Sequence, residues 1–372
     1  MMEMKEQKNN VVRTIAFYLP QYHPTPDNDR WWGKGFTEWT NVGKARPLFR
    51  GHYQPKVPAD LGYYDLRLPE VREQQAELAR EAGIEGFCYY HYWFGDGKQE
   101  LERPFNEVLA SGKPELPFCL CWANESWHSK FWNLDGTIEK KTLIEQTYPG
   151  DEDIRNHFRT LLPAFQDKRY IRIDGMPVFM IYRPDDYADV SHFMHVWRNL
   201  AVENGLEGIY FIAHLNLNIT SEHVDSLLEK GFDAVNTVQL WDAFNKKFPL
   251  PLYLLMKLRR ALLRMPYAFN YKRLLPYMVT DVERREDVFP TLMPNWDHSP
   301  RSGRAAMVLT GSTPEVFGQH IEDVLAVTAP KRPDRQVVFI KSWNEWGEGN
   351  YMEPDLRYGK GYIQVLREKL GE

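Results

Sequence analysis

Short apolar runs rich in β-branched and aromatic residues alternate with amphipathic stretches of helical period along the whole chain. The runs predict strands at Thr14 to Leu19, Ile84 to Tyr90, Pro117 to Trp122, Pro177 to Tyr182, Ile209 to Ala213, Ala234 to Leu240, Phe289 to Met293 and Val337 to Trp343. Several are continuously apolar, the pattern of a parallel strand covered on both faces. Between them Pro69 to Ala82, Asp151 to Phe165, Ser191 to Asn204, Ser221 to Lys230 and Pro314 to Val327 predict helices, and Tyr362 to Leu370 follows the last strand. Several open with Ser, Asp or Pro, which suits a helix start. This alternation predicts an α/β fold, a (β/α)8 TIM barrel with long βα-loop insertions, over an open doubly wound sheet. The first strand ends in Leu19-Pro20-Gln21-Tyr22-His23 with no glycine-rich phosphate turn, and GDGK at Gly95 to Lys98 is too short for a phosphate loop.

The expected organisation is one catalytic barrel over residues 1–372, with 1–11 disordered and two insertions. Residues 21–68 are too long for a plain connector and contain WWGKGFTEWTNV, with Trp31, Trp32, Glu38, Trp39 and Asn41. Loops of this length are often binding elements, so the segment reads as an active-site wall or as a structural cover over the barrel mouth. Residues 244–280 hold no acidic side chain, and Lys246, Lys247, Lys257, Arg259, Arg260, Arg264, Lys272 and Arg273 stand among Leu, Met and Phe. That composition suits either a basic helix packed on the barrel or peripheral contact of 246–273 with an anionic membrane.

Charge and cysteine usage narrow the function classes. A formal net charge of −5 over 372 residues gives no basic field, so nucleic acid is excluded as a general partner. Cys88, Cys119 and Cys121 fall in apolar runs and read as small buried hydrophobes in a reducing compartment. The opening MMEMKEQKNN carries no signal-peptide core, and no apolar stretch of about 20 residues could span a bilayer. The expected location is the cytoplasm, peripheral to the inner membrane if the basic insertion touches it. Twelve Trp and twenty Tyr, many in loop-like stretches, suggest a surface that stacks on ligands.

The last apolar run stops at Trp343-Asn344-Glu345-Trp346-Gly347-Glu348. Two acids three residues apart on an exposed helix would be a solvated face, but these lie past the C-terminal end of a buried strand, where barrel enzymes keep their catalytic groups. In an extended strand the two would point apart, so the chain must turn between them, and Gly347 and Gly349 permit that. Paired carboxyls among aromatic rings suit glycosidic chemistry, where one protonates the leaving oxygen and the other assists bond formation. The other strand ends carry candidate substrate contacts: Tyr22 and His23; Tyr90, His91 and Trp93; Trp122, Asn124 and Glu125; Tyr182; His214; Asn295, Trp296 and Asp297; and Trp343 and Asn344, joined by Trp32, Glu38 and Trp39 of the first insertion. Their recurrence at successive ends places them around one pocket.

Four activities compete. The preferred one is a retaining glycoside hydrolase or transglycosylase on an α-linked glycan. A glycosyltransferase with an activated donor must hold a diphosphate, for which Arg301 and Arg304 are candidates. A non-catalytic glycan-binding barrel would use the same aromatic cleft. A metal-dependent hydrolase would draw on His91, His214, His298 and Asp297, but no metal-ligand spacing joins them, and no cofactor or metal is expected.

Six motifs in order, AFYLPQYHP, GFTEWTNV, GFCYYHYWF, CWANESW, PNWDHSPRSG and KSWNEWGEG, extend over nearly the whole chain from Ile15 to Asp355. Together they resemble the WbsX-type proteins, which are related to glycoside hydrolase family 99 and often assigned to lipopolysaccharide or O-antigen biosynthesis. The resemblance implies a (β/α)8 barrel acting on an oligosaccharide or polysaccharide, lipid-linked if the basic insertion meets a membrane. Family 99 enzymes are metal-independent retaining endo-α-mannosidases, and the resemblance implies that Glu345 assists attack by a sugar 2-hydroxyl while Glu348 is the general acid and base.

Overall fold

The computed structural model describes residues 12–132, 138–247 and 265–371, together with Leu254, Lys257, Leu258 and Leu262. Eight parallel strands close a barrel. They are β1 (Arg13–Tyr18), β2 (Gly86–Trp93), β3 (Phe118–Trp122), β4 (Met176–Ile181), β5 (Tyr210–Leu215), β6 (Ala234–Thr237), β7 (Val288–Leu292) and β8 (Val337–Ile340). Each pairs with its successor, and β8 returns to β1 with Val337 opposite Arg13 and Ile340 opposite Ala16. The continuous apolar runs are explained by this closure, because every strand is buried inside the ring and beneath the outer helices.

Those helices include α1 (Pro69–Glu81), α2 (Asp151–Phe165), α3 (Val190–Glu203), α4 (Ser221–Glu229), α5 (Pro314–Thr328) and α6 (Gly361–Leu370). In α2 the buried Ile154, Phe158, Leu161 and Phe165 recur at helical spacing, the stripe that turns toward the sheet. Thr220 and Thr313 cap α4 and α5 by accepting the N–H groups of His223 and Val316.

Most bounds differ from the expected ones by a residue or two, and three strand ends by three, β8 stopping at Ile340 rather than Trp343. Strand β2 continues to Trp93 because Tyr92 and Trp93 pair antiparallel with Glu100 and Gln99. Strand β6 stops at Thr237, since Leu240 already begins the helix Leu240–Lys247. The helix Arg103–Ser111 and the antiparallel pair Trp127–Trp132 with Ile138–Ile144 were not anticipated, being short and mixed in polarity.

The first insertion carries the helices Pro26–Trp32 and Glu38–Lys44 and is tied down where Ala59 N–H donates to Pro354 and Leu66 N–H donates to Tyr22. Within the second insertion, Tyr267–Asn270 pairs in parallel with Met307–Thr310. Phe269, Tyr271 and Leu274 then join Val238, Met293 and Leu309 in a second apolar cluster. Part of the basic insertion therefore packs on the protein. Most of 248–264, like the expected disordered 1–11, lies outside the described residues. All three cysteines are buried free thiols. No helix among the described residues is long and apolar enough to cross a membrane.

Candidate active site

Past β8 the chain runs through Asn344–Glu345, which pairs antiparallel with Asn350–Tyr351, and makes one tight turn over Trp346–Glu348. Gly349 sits at φ 58°, and a Cβ there would lie 2.6 Å from Lys56 Nζ and 2.7 Å from Asp297 Cβ. A Cβ on Gly347 would fall on the Glu38 carboxylate. Both glycines are thus required, one by backbone conformation and one by the approach of the first insertion. The turn leaves Glu345 and Glu348 in the same electrostatic environment, each coupled to Lys341 and Arg301.

Each acid has its own cation. Lys341 Nζ donates to Glu345 Oε2 at 3.2 Å and to the Tyr90 hydroxyl at 2.7 Å. Arg301 donates from Nη1 to Glu348 Oε1 at 2.5 Å, and from Nε and Nη2 to both oxygens of Glu38 at 2.9 and 3.1 Å. His298 Nε2 stands 3.6 Å from the same Glu348 oxygen. Burial raises the Glu345 pKa; Lys341 pulls it down, and neighbouring Glu348 pushes it up again, leaving it above the ordinary carboxyl value. The Tyr90 phenol is also raised, first by burial and then by the charge on Glu345.

Beneath this charge cluster lies an aromatic floor inside the barrel. The Phe17 ring stands 5.5 Å from Tyr90, 5.5 Å from Phe339 and 5.8 Å from His214. Tyr182 stacks on His214 at 4.6 Å, and His214 Nδ1 meets Asn236 Oδ1 at 2.8 Å. Burial keeps this imidazole neutral, with its pKa lowered to about 3. Tyr90, Tyr182, His214, Glu345 and Glu348 from the strand ends are therefore gathered with Glu38 of the first insertion.

Other sequence candidates lie elsewhere. His91 Nε2 meets His157 Nε2 of α2 at 2.8 Å, Trp93 stacks on His157 at 4.5 Å and donates to Asp153, and Trp122 packs edge-on against His157 at 5.0 Å. This cluster sits between β2, β3 and the outer helices, because neighbouring residues of a strand face opposite ways. Tyr90 faces in, His91 and Trp93 face out, and Tyr92, whose phenol senses the Glu345 charge, completes the inward set. Asn124 ties two loops together through Tyr148 and Arg183, and Glu125 pairs with Arg183 at 3.1 Å.

A further group supports the final turn from behind. Asn344 accepts from Leu19 N–H at 2.7 Å and donates to Leu19 O at 3.0 Å. The Tyr22 hydroxyl donates to Asn344 O and accepts from Trp346 N–H. Trp346 is bracketed by Trp39 at 5.5 Å and Tyr351 at 3.8 Å. Trp346 Nε1, Tyr64 and Gln75 all donate to Glu353, a buried carboxyl that burial raises to about 7 despite these bonds. Trp343 is fully buried, and His23 contacts Pro20 O at 3.1 Å.

Asp297 accepts from His52 and Gln54 and its N–H donates to Glu348 O at 2.6 Å. Burial works to raise its pKa, but the bond from His52 and the charge of Lys56 outweigh that and hold it at about 2. With Asn295 it lines a separate cavity of about 150 Å³. Trp296 stacks on His298 at 6.0 Å, and Trp32 stands half-exposed beside Phe36. Among the described residues no group of His, Cys, Asp or Glu is placed to hold a metal ion.

Sequence reading missed Lys341 and Tyr92 and noted Arg301 only as a phosphate ligand. A lone cation between Ile340 and Trp343, four residues before Glu345, is the signal that marks Lys341.

A family model described as "Glycosyltransferase WbsX" matches residues 14–366. The "Uncharacterized protein WxcX" of Xanthomonas campestris pv. campestris strain B100 is 35% identical over 360 residues, covering 96% of this chain and 49% of that protein. Its counterpart in strain ATCC 33913 matches equally, so the chain spans about half the length of the curated relatives it matches. Among solved structures, a "Glycoside hydrolase-like protein" aligns with TM-score 0.62 at 13% identity, covering 96% of this chain and 94% of that one. The GH99 endo-alpha-mannosidase from Bacteroides thetaiotaomicron aligns with TM-score 0.54 at 15% identity, covering 96% of each chain. At such identities the alignments establish a shared barrel fold.

Proposed function

This chain belongs to the WbsX family, and from that premise we propose that it is a retaining glycoside hydrolase or transglycosylase acting on an α-linked, mannose-like glycan of a polysaccharide. The observation that carries the reading is the pair Glu345 and Glu348, each on its own cation, above an aromatic floor at the barrel's C-terminal mouth. Glu345 accepts the proton of the sugar 2-hydroxyl as that oxygen attacks the anomeric carbon. Glu348 gives a proton to the departing glycosidic oxygen, then takes one from the incoming water or sugar hydroxyl. Arg301 bonds one oxygen of Glu348 and both oxygens of Glu38, so the guanidinium orients the Glu348 carboxyl from the first insertion's side. Trp32 offers an exposed ring to a sugar, and whether water or a sugar accepts the glycosyl group depends on how dry the occupied cleft is.

The test is incubation of the protein and its Glu348→Gln variant with α-mannans, bacterial polysaccharides and activated aryl glycosides, without nucleotide sugar, following products by mass spectrometry. New reducing ends or transfer products from the native protein alone support the reading; no turnover on any glycan rejects it. The family model's description favours a second reading, a donor-dependent glycosyltransferase. Saturable binding of a nucleoside diphosphate, weakened by Arg301→Ala, is its signature.

A further inference from the structure

Glu345 is 5% exposed. A carboxyl so withdrawn from water favours its neutral form, and a protonated Glu345 is far too weak a base to take the proton of a sugar hydroxyl. The charged and titratable groups facing it are Glu348 on its own turn, Tyr90 and Tyr92 on β2, Arg301 on the helix Ser299–Ser302, and Lys341 at the end of β8. Glu348 opposes its negative charge, while the two phenols, kept protonated by burial and by Glu345 itself, carry none. Arg301 is committed to Glu38 and Glu348. Lys341 is the cation bonded to it directly, at 3.2 Å.

The surroundings of that ammonium fix its place. It lies 5.3 Å from the Tyr90 ring centre, 5.8 Å from Phe17 and 5.9 Å from Tyr182, and its other hydrogen bond goes to the Tyr90 hydroxyl. Three π-faces and a phenol oxygen hold a cation in a dry enclosure, where it acts on its neighbour with little screening by water. The rings come from β1, β2 and the residue just past β4, so the barrel wall itself sets the position.

We propose that Lys341 is a positioning residue that keeps Glu345 ionised and aimed into the cleft, so that a carboxyl buried to this degree works as a base at neutral pH. The inference rests on the reading of Glu345 as the base of a glycosidase. Lys341 retains its own proton throughout; the proton that moves passes from the sugar 2-hydroxyl to Glu345 and back when the second half-reaction reopens the ring. Contact between Lys341 and the sugar is not required.

The experiment is a titration followed by carbon NMR of protein labelled at the glutamate carboxyls, with Glu345→Gln assigning the signal. The native protein, Lys341→Met and Lys341→Arg are compared. The Glu345 signal in Lys341→Met moves to titrate at least about one pH unit higher, a tenfold change in proton affinity, and Lys341→Arg restores most of it. On any cleaved glycan, the acid limb of the kcat profile moves up by the same amount while KM changes little. A Glu345 titration unchanged in folded Lys341→Met overturns the proposal. Should that variant fail to fold, Lys341→Gln carries the same comparison. If no glycan is turned over while the titration shifts, the glycosidase reading fails and the pairing of Lys341 with Glu345 stands.

Discussion

Two aromatic and charged clusters lie at strand ends of this barrel, and they do opposite things. At the exit of β8, Glu345 and Glu348 are each ion-paired, to Lys341 and Arg301. At the ends of β2 and β3, His91, His157, Trp93 and Trp122 pack into a closed, neutral knot, with burial lowering the His91 pKa to about 3. Both have residues suited to binding sugar, yet only the first lies on the inward side of the barrel strands. The difference comes from strand parity: one step along β2, from Tyr90 to His91, carries a side chain from the mouth to the helix-facing side.

Substitutions can break this division. Glu345→Gln and Glu348→Gln lose about 10²–10⁴-fold in turnover, with thermal unfolding close to native, as measured by product formation and calorimetry. Trp93→Ala does the reverse. It costs about 3–5 kcal/mol of stability in denaturant unfolding, while turnover per folded molecule is kept. An inactive yet stable Trp93→Ala protein would place the outward knot in the chemistry and undo the contrast.

Glu353 sharpens it, since this carboxyl supports the final turn from behind. Its folded value of about 7 lies above the ordinary 4.5. The folded state therefore holds the proton more tightly, and the stability this gives is complete below about pH 4.5 and lost as pH rises through about 7, by up to ~3 kcal/mol. Glu353→Gln removes that dependence and, by mismatching one of the three donors, lowers stability at pH 5 by about 1–3 kcal/mol. Urea unfolding at pH 5 and pH 8 measures both. The smallest effect belongs to Trp32→Ala in the first insertion, which changes stability by less than about 0.5 kcal/mol and raises KM for long glycans more than for aryl glycosides.

The barrel was legible because burial on both faces leaves continuous apolar runs, and all eight expected strands overlap the observed ones. The turn between Glu345 and Glu348 was legible in its two glycines. Parity at the mouth was not, because β2 runs on to Trp93 and its apolar composition gives no alternation to count. Nor were the cations. Lys341 reads as the polar end of a strand until Phe17, Tyr90 and Tyr182, distant in sequence, are seen to surround it. The role of Arg301 depends on Glu38, 263 positions earlier.

The clasp between Asn344 and Leu19 joins positions 325 residues apart. It sits one residue before Glu345, so the two carboxyls share a seam with the two strands that close the ring. A half-barrel bearing β8 alone would carry both acids and lack Phe17, Tyr90 and the Leu19 backbone that seat them. If the chain were divided in the loop between β5 and α4, neither piece would be active. Mixing the two would restore turnover only as fast as they find each other, making catalysis a direct clock for ring closure.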